Sequence, residues 1–248
     1  FVGILLVAAA MMSMTFSVSA DSSTPIHFIA FDSEYYNDGI GNAYGFTNTE
    51  YIDVEDDKIP GAVRLTFEKS PYEYNGTYDK KGFTGCFDPY FYFPLFEIGD
   101  SIKCEDIGAV VVYMRVQNDD GNDLKVNREA PVMYFSTSTH PIITGDGDFI
   151  SAVTKFEKNS DEWNKHIFNI TKKTKAGAWQ GDLQCIRIDP FSKANDDMDY
   201  LDVAGVALFE SKEDAEAFDG DLKALLNGDS TEDKESSFGI GFAVACVA

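Results

Sequence analysis

The feature that most restricts the fold of this chain is a series of short strand-like segments with no helical pattern between them. Residues 62–68 alternate between apolar and polar, which places Val63, Leu65 and Phe67 on one face. Residues 109–116 are apolar on both faces, as in a central strand. Further strands are predicted at residues 26–32, 89–96, 131–136, 165–170, 183–189 and 201–209. Clusters of Asn, Asp and Gly separate the segments, so we predict an all-β fold, a two-sheet jelly-roll sandwich.

A short C-terminal helix is predicted to follow the last strand. Ser211 is placed to cap its first turn, and Asp214, three residues later, completes a box-like pair. One face of this helix is apolar, formed by Ala215, Phe218, Leu222 and Leu225. Gly220 lies within the pattern and either costs the helix about 1 kcal/mol or divides it into two short helices.

The two ends of the chain indicate export and attachment. Residues 1–20 have no charged side chain and end in small residues, so we expect a signal peptide that is removed before Asp21. A buried apolar helix or the start of a membrane span is the alternative. Residues 227–237 have the polar composition of a linker, and residues 238–248 carry no charge. This last segment is shorter than the roughly 20 residues of a bilayer span, so it is either a truncated membrane anchor or an apolar tail.

Residues 21–226 therefore form one predicted domain of an extracellular, cell-surface protein that meets the membrane only through its tail. The formal charge of −22 repels nucleic acid and anionic lipid headgroups, so neither is expected as a partner. Four cysteines do not make a disulfide framework in a chain of 248 residues. Cys185 is expected in the core, whereas Cys86 and Cys104 either pair or remain separate thiols.

No cofactor or metal ion is expected. The chain lacks the Cys and His spacing of a zinc site. The Asp-rich loop at residues 195–199 lacks the regular ligand pattern of a calcium loop and is interrupted by Met198. We therefore interpret this loop as a solvated turn rather than a calcium site.

Three stretches in the second half of the chain resemble a known fold group. They are the Trp-centred strand at residues 161–171, the segment Trp-Gln-Gly-Asp-Leu-Gln-Cys-Ile-Arg-Ile-Asp-Pro-Phe at 179–191, and the strand and helix start at 201–218. Together they resemble the galactose-binding-like β-sandwich modules of exported gut Firmicutes proteins, a group with many carbohydrate-binding modules. The resemblance implies a sandwich over residues 26–218 and a carbohydrate ligand. In such modules the last strand often has an Asp that helps to hold a structural calcium. Ala204 and Gly205 stand there in this chain, so a calcium site is not supported.

Aromatic residues near the middle of the chain are the main candidates for ligand binding. The candidate carbohydrate-binding residues are Tyr72, Tyr74, Tyr78, Tyr90, Tyr92 and Trp179. Aromatic rings stack on the C–H faces of sugars, and tyrosine adds a hydroxyl that orients the ligand. The first three lie at residues 70–85, a segment interpreted as a loop with few aliphatic residues to bury them. Trp179 also suits a core position at the entry to a strand, and the phenylalanines around Tyr92 are assigned to the core.

Three functions fit these observations. The preferred one is a surface-anchored, non-catalytic binding module for carbohydrate. A structural or adhesive ectodomain would instead use the tyrosines to contact a cell-surface or extracellular protein, or would have no ligand. A hydrolase would need two carboxylates that face each other across a cleft. No local motif nominates such a pair among the 42 acidic residues, so an enzyme is not expected.

Overall fold

The computed structural model describes an antiparallel β-sandwich. The described residues are 24–32, 40–41, 43–69, 73–74, 77–78, 85–95, 101–119, 124–126, 128–143, 149–170, 178–195 and 197–229. The strands are β1 (His27–Ala30), β2 (Ala43–Tyr44), β3 (Phe46–Asp53), β4 (Gly61–Phe67), β5 (Glu73–Tyr74), β6 (Thr77–Tyr78), β7 (Gly85–Phe87), β8 (Tyr90–Pro94), β9 (Ala109–Gln117), β10 (Val132–Thr137), β11 (Phe149–Ser151), β12 (Asn164–Asn169), β13 (Leu183–Asp189), β14 (Lys193–Asn195) and β15 (Tyr200–Phe209). Two helices follow, α1 (Lys212–Ala217) and α2 (Leu222–Asp229). The predicted signal peptide, most of the predicted linker and the apolar tail lie outside the described residues.

Two sheets form the layers of the sandwich. Sheet I has six strands in the order β12-β9-β15-β4-β3, with β1 also paired to β15. Sheet II has five strands in the order β11-β10-β13-β8-β2. Two short ribbons, β14-β7 and β5-β6, lie outside these sheets. The predicted all-β, two-sheet sandwich is therefore confirmed.

Strand β15 is the centre of sheet I because three strands pair with it. β9 runs along one edge, while β4 and β1 share the other edge, at residues 200–203 and 205–208 respectively. Between these two partners the register shifts, and the carbonyl oxygen of Ala204 accepts a hydrogen bond from the Phe31 N–H at 3.2 Å. A Cβ on Gly205 would lie 2.3 Å from the carbonyl oxygen of Ile29, so only glycine fits where β1 joins the sheet.

The hydrophobic core lies between the two sheets. Val112 and Met114 of β9 enter it from sheet I, and Phe91 and Phe93 of β8 enter it from sheet II. The three residues that the alternation on β4 placed inward are buried in the same cluster, while the intervening Arg64 and Thr66 are half-buried. Alternation along the strands thus sends every second side chain to an outer face.

One polar side chain in this interior is unusual. His166 of β12 is fully buried, and neither of its ring nitrogens has a hydrogen-bond partner. Its ring centroid lies 4.3 Å from that of Phe156. Burial lowers the pKa of His166 to about 3, so this imidazole is neutral at physiological pH.

The helices cover part of the outer face of sheet I. Phe218 and Leu222 pack there against Val111, Tyr113 and Phe209. The described helices are both too short to cross a membrane. The sequence predicted this apolar helical face, and the packing accounts for it.

The start and the break of the helical segment also follow the sequence. The Ser211 hydroxyl accepts a hydrogen bond from the Asp214 N–H at 3.1 Å, which is the predicted cap. Gly220 has a φ of +86° and separates α1 from α2, so the two-helix alternative is correct. The ring of Tyr113 lies 3.0 Å from where a Cβ would stand at Gly220, which adds a steric reason for glycine.

A lysine from sheet I completes the end of α1. Lys165 of β12 donates from Nζ to the carbonyl oxygens of Ala215, Glu216 and Phe218, at 3.2, 3.0 and 2.8 Å. The last carbonyls of a helix have no partners within the helix, and one ammonium here supplies three donors to them. Burial lowers the pKa of Lys165, as expected for an ammonium enclosed between strand and helix.

Several sequence interpretations are corrected by the structure. β3 was missed because residues 47–50 are all exposed, so this edge strand has no apolar alternation. The loop interpretation of residues 70–85 was wrong in part, since β5 and β6 pair there as an antiparallel ribbon. The disulfide alternative was wrong as well, because Cys104 is a free and fully buried thiol whose pKa is raised by burial to about 12. Cys185 is buried, as predicted.

Candidate functional site

The outer face of sheet II carries a group of aromatic side chains. Phe91, Met133 and Ile186 of this sheet point into the core, so their neighbours along each strand point outward. We call this surface the tyrosine face and define it by Tyr44, Tyr90, Tyr92, Tyr134, Phe149 and Arg187. These residues come from all five strands of sheet II.

Strand register aligns four of these residues in one row. Phe149 of β11 pairs with Tyr134 of β10, Tyr134 with Arg187 of β13, and Arg187 with Tyr92 of β8. Tyr44 of β2 pairs with Tyr90 beside this row. The row crosses the sheet at right angles to the strands, so its side chains lie next to one another although they are far apart in sequence.

The rings of the tyrosine face contact each other. Tyr44 and Tyr90 are stacked with ring centroids 5.2 Å apart, and Tyr90 meets Tyr92 edge to face at 5.6 Å. Tyr134 and Phe149 lie 6.0 Å apart. Tyr44 and Phe149, at the two ends of the group, are each 41% exposed. The face is therefore an aromatic surface whose ends are open to solvent.

A single arginine lies within the tyrosine face. The guanidinium carbon of Arg187 is 3.7 Å from the centroid of Tyr90 and 5.0 Å from that of Tyr134. Its Nε and Nη2 donate to the two carboxylate oxygens of Asp189 at 2.7 and 2.8 Å. Asp88 contributes a second carboxylate, 3.8 Å from Nη2. The guanidinium is thus fixed by rings and by a bidentate ion pair.

Burial shifts the pKa values of several side chains in and beside the tyrosine face. It raises the pKa of Asp189 to about 6, against the opposing effect of the Arg187 charge. Burial also raises the pKa values of Tyr92 and Tyr134, so their hydroxyls stay protonated and able to donate hydrogen bonds at neutral pH. The polar groups of the face therefore consist of hydroxyls and one charge-balanced arginine.

The structure brings two of the six predicted site residues together and places Trp179 in the core. Tyr90 and Tyr92 both belong to the tyrosine face. Tyr74 and Tyr78 lie on the β5-β6 ribbon, their side chains outside the described residues, and Tyr72 lies outside them altogether. Trp179 is 9% exposed in the core, where its ring meets Phe135 at 4.8 Å and its Nε1 donates to the Cys104 carbonyl oxygen at 2.6 Å.

Four members of the face were not among the predicted residues: Tyr44, Tyr134, Phe149 and Arg187. Each stands on a different strand, so only strand order and register unite them. One local signal was present, because Arg187 and Asp189 alternate with the apolar Ile186 and Ile188 on β13. That alternation predicts a charged pair on an outer face, although it does not say which residues surround the pair.

The outer face of sheet I carries charges where sheet II carries rings. Glu50, Arg64, Asp202 and Arg115 align across four strands, and we call them the charged row. Arg64 donates from Nε and Nη2 to the two oxygens of Asp202 at 2.7 and 2.9 Å, and Arg115 donates from Nε at 3.0 Å. Asp202 is fully buried between these arginines. Tyr200 and Trp163 cover them, with the guanidinium carbons 4.4 and 4.6 Å from the ring centroids.

The described residues show no group of three or more His, Cys, Asp or Glu side chains arranged to hold a metal ion. In the Asp-rich turn, Asp199 pairs with Lys69 and accepts a hydrogen bond from the Asp119 N–H at 2.7 Å. Met198, which interrupts the predicted ligand pattern, is fully buried. Both contacts of the Asp199 carboxylate are therefore with groups of the protein itself.

Comparisons with known proteins give similarity in fold. No protein-family model matches the chain, and no curated protein sequence does. Among solved structures, the chain is similar to the CBM27-1 module of Caldicellulosiruptor saccharolyticus in complex with mannohexaose, with a TM-score of 0.43, 9% identity and coverage of 75% of this chain and 98% of that one. It is similar to a low-affinity xylan-binding CBM86 module of Roseburia intestinalis, with a TM-score of 0.34, 8% identity and coverage of 73% and 92%.

A third similar structure is the CBM22-1 xylan-binding domain from Paenibacillus barcinonensis, with a TM-score of 0.36, 6% identity and coverage of 76% of this chain and 90% of that one. All three are carbohydrate-binding modules or domains. At these TM-scores and identities the similarities are too distant to assign a ligand or a binding residue to this chain.

Proposed function

We propose that this protein is an exported, surface-attached and non-catalytic module that binds carbohydrate on its tyrosine face. The observation that supports this function is the row of aromatic side chains across sheet II. Both described helices pack on the opposite sheet, and Tyr44 and Phe149, the rings at the two ends of the tyrosine face, remain open to solvent. Apolar surface that is exposed to solvent between polar surroundings is typical of binding sites.

The shape of the tyrosine face suits an extended ligand. Five strands give four steps of about 4.8 Å, so the face is roughly 19 Å wide. A surface of this width offers successive rings to the C–H faces of successive sugars. A glycan chain that runs across the strands would contact Tyr44 at one edge and Phe149 at the other.

Polar groups within the face would orient the sugars. The protonated hydroxyl of Tyr134, which is half-buried, can donate a hydrogen bond to a ring oxygen or hydroxyl group of a glycan, whereas Tyr92 is buried. Arg187 contributes a planar group among the rings. Ligand sites of this kind combine apolar contact with a few fixed polar groups, which is the composition of this face.

A binding test separates the carbohydrate function from the adhesive alternative. The double variant Tyr44→Ala/Phe149→Ala removes the two most exposed rings, while Tyr200→Ala on the other sheet is the matched control. We expect the double variant to keep its melting temperature and to lose retardation by the polysaccharides that retard the wild type in affinity electrophoresis. If the wild type binds no polysaccharide of a broad panel, the protein is better described as an adhesive or structural ectodomain.

The candidate tyrosines of the β5-β6 region extend the proposed site. The triple variant Tyr72→Ala/Tyr74→Ala/Tyr78→Ala is expected to keep the fold and to reduce glycan affinity. A core role would instead lower the melting temperature, so thermal denaturation beside the binding assay distinguishes the two. The Trp179 assignment to the site is the least supported, since that ring is packed against Phe135.

Export and attachment rest on the two ends of the chain. The proposed signal peptide at residues 1–20 would direct the protein out of the cell, as in the exported modules of gut Firmicutes that the sequence resembles. The proposed anchor at residues 238–248 would hold it at the surface. With the gene completed at both ends, deletion from Phe238 onward should release the protein into the medium. Continued retention on the cell would assign the attachment to another part of the protein.

A further inference from the structure

Within the tyrosine face, Asp189 already binds the edge of the Arg187 guanidinium that an acidic ligand would need. An arginine holds a carboxylate best through two parallel N–H donors. On Arg187 the Nε and Nη2 donors already point at the two oxygens of Asp189. The carboxylate of Asp189 is 9% exposed, so a ligand cannot displace it without leaving a buried charge unpaired.

The remaining surroundings of Arg187 also disfavour a negative ligand. Asp88 lies 3.8 Å from Nη2 and its side chain is 67% exposed, so its carboxylate faces solvent beside the guanidinium. Arg187, Asp189 and Asp88 together carry a formal charge of −1. The rings of Tyr90 and Tyr134 cover the flat sides of the guanidinium. Arg187 therefore acts in this face as a planar, charge-compensated group.

On the basis of the proposed function, we propose that Asp189 determines the ligand class of the tyrosine face. With its carboxylate on Arg187, the face accepts uncharged glycans and rejects those that carry carboxylates. When Asp189 loses its charge, it keeps one strong acceptor oxygen, so Arg187 regains one free donor and the face also accepts glycans that contain uronic acids. Asp189 is a positioning and specificity residue in this scheme, because it acts through Arg187.

The test compares Asp189→Asn with Asp219→Asn. Both variants remove one negative charge, but Asp219 pairs with Lys58 near the helices and away from the tyrosine face. Affinity electrophoresis uses polygalacturonate as the acidic probe, and hydroxyethylcellulose and galactomannan as neutral probes. We expect Asp189→Asn to bind polygalacturonate about tenfold more tightly than the wild type, as one added charge-assisted hydrogen bond would give. Asp219→Asn should match the wild type on all probes.

The results separate this proposal from the proposed function. Equal binding of polygalacturonate by the two variants, with neutral glycans still bound, would overturn the role of Asp189 alone. If the wild type binds no neutral glycan but Asp189→Asn gains polygalacturonate, the neutral-glycan function fails and the masking of Arg187 stands. Absence of binding in every case would overturn both.

A pH series on the wild type tests the same idea without a mutation. The groups that face Asp189 are Arg187, Asp88 and Tyr134, and burial raises the pKa of Asp189 to about 6. Lowering the pH from 7.5 to 5 should therefore increase polygalacturonate binding relative to neutral glycan in the wild type. The ratio should stay constant with pH in Asp189→Asn. If binding of polygalacturonate relative to neutral glycan does not change with pH in the wild type either, the proposal is contradicted. That is the result expected if Asp189 has only a structural role.

Discussion

Each outer face of the sandwich has an aspartate that pairs with arginine beneath aromatic rings, but the two arrangements differ in charge and in exposure. On sheet I, Asp202 is fully buried between two arginines, and Glu50 continues the alternation of charge across the strands. On sheet II, Asp189 holds one arginine, and rings rather than charges occupy the neighbouring strands. In the charged row the arginines pair with Asp202 on the same face, whereas the tyrosine face leaves apolar surface exposed at its ends.

The positions of the helices reinforce this difference. α1 and α2 cover the apolar half of the outer face of sheet I, beside the charged row. Tyr44 and Phe149 on sheet II remain 41% exposed. Under the proposed function, the outer face of sheet I serves the fold and that of sheet II serves binding. The following predictions test that division.

Trp179→Ala should have a large effect on stability and none specific to either face. Its ring lies in the core against Phe135, and its Nε1 hydrogen bond to the Cys104 carbonyl would be lost. Truncation of a buried aromatic residue costs about 3–5 kcal/mol of unfolding free energy, which urea denaturation can measure. A stable variant that no longer binds glycan would move Trp179 to the binding site, as one sequence interpretation has it.

Substitution of Asp202 and of Asp189 should lower the stability of the fold by different amounts. Asp202→Asn leaves Arg64 and Arg115 without their shared carboxylate, and breaking such a buried pair costs about 3–5 kcal/mol. Asp189→Asn should cost less, because burial already disfavours the charge of Asp189 and its pKa is raised. Chemical denaturation of both variants at pH 7.5 checks the order. Equal losses of unfolding free energy in the two variants would show that the two ion-pair arrangements do not differ in their contribution to stability.

The sequence anticipated the layers of the fold better than the binding face. The alternation on β4 and the apolar run of β9 identify core strands because burial imposes a local pattern. The cap at Ser211 was equally predictable, since it depends on residues three apart. β3 was not, because an exposed edge strand is held by backbone hydrogen bonds that any side chain permits.

The tyrosine face depends on register, which the sequence does not encode locally. Tyr134 and Arg187 are neighbours because β10 pairs with β13, two strands that are about fifty residues apart in the chain. Tyr90 and Tyr92 were predicted for their residue type and lie on the face, but their actual partners were not foreseeable. Trp179 carried the same chemical signal and lies in the core, so residue type alone does not separate stacking rings from packing rings.

Single-ring variants at the two ends of the tyrosine face sharpen the binding side of the comparison. Tyr44→Ala and Phe149→Ala should each weaken binding of a long oligosaccharide, by about 0.5–1.5 kcal/mol beyond the lost contact area. The two rings are on opposite edge strands of sheet II, so their effects should add. A disaccharide is too short to reach both, and it should lose affinity in only one of the variants. Titration calorimetry with ligands of increasing length measures this, and loss of binding in Trp163→Ala, whose ring covers Arg115 of sheet I, would contradict the division.

Acid should act on the interior and on the tyrosine face with opposite signs. The neutral His166 binds a proton near pH 6.5 when unfolded but only near pH 3 when folded, so the free energy of unfolding falls as the pH drops through this range. Asp189 has a pKa of about 6 in the fold and 3.8 when unfolded, so it takes up its proton earlier in the fold and stabilises it between those values. Denaturation at pH 7.5 and 5 should show His166→Phe losing less stability on acidification than the wild type. Asp189→Asn should lose more, and identical profiles would exclude both assignments.

Because β1 and β4 share one edge of β15, sheet I can be completed only after β15 has been synthesised. β1 begins at residue 27, and its partner residues on β15 are 205–208, so nearly the whole domain must exist before the first strand finds its place. β4 also pairs with β3, and β9 with β12, but each has a second edge that pairs only with β15. Pairing over such a separation is slow compared with local hairpins, and in a chain made from its N-terminus β1 stays without its partner strand until β15 has been made. For a protein exported as proposed, sheet I would be completed only after the last strand has crossed the membrane.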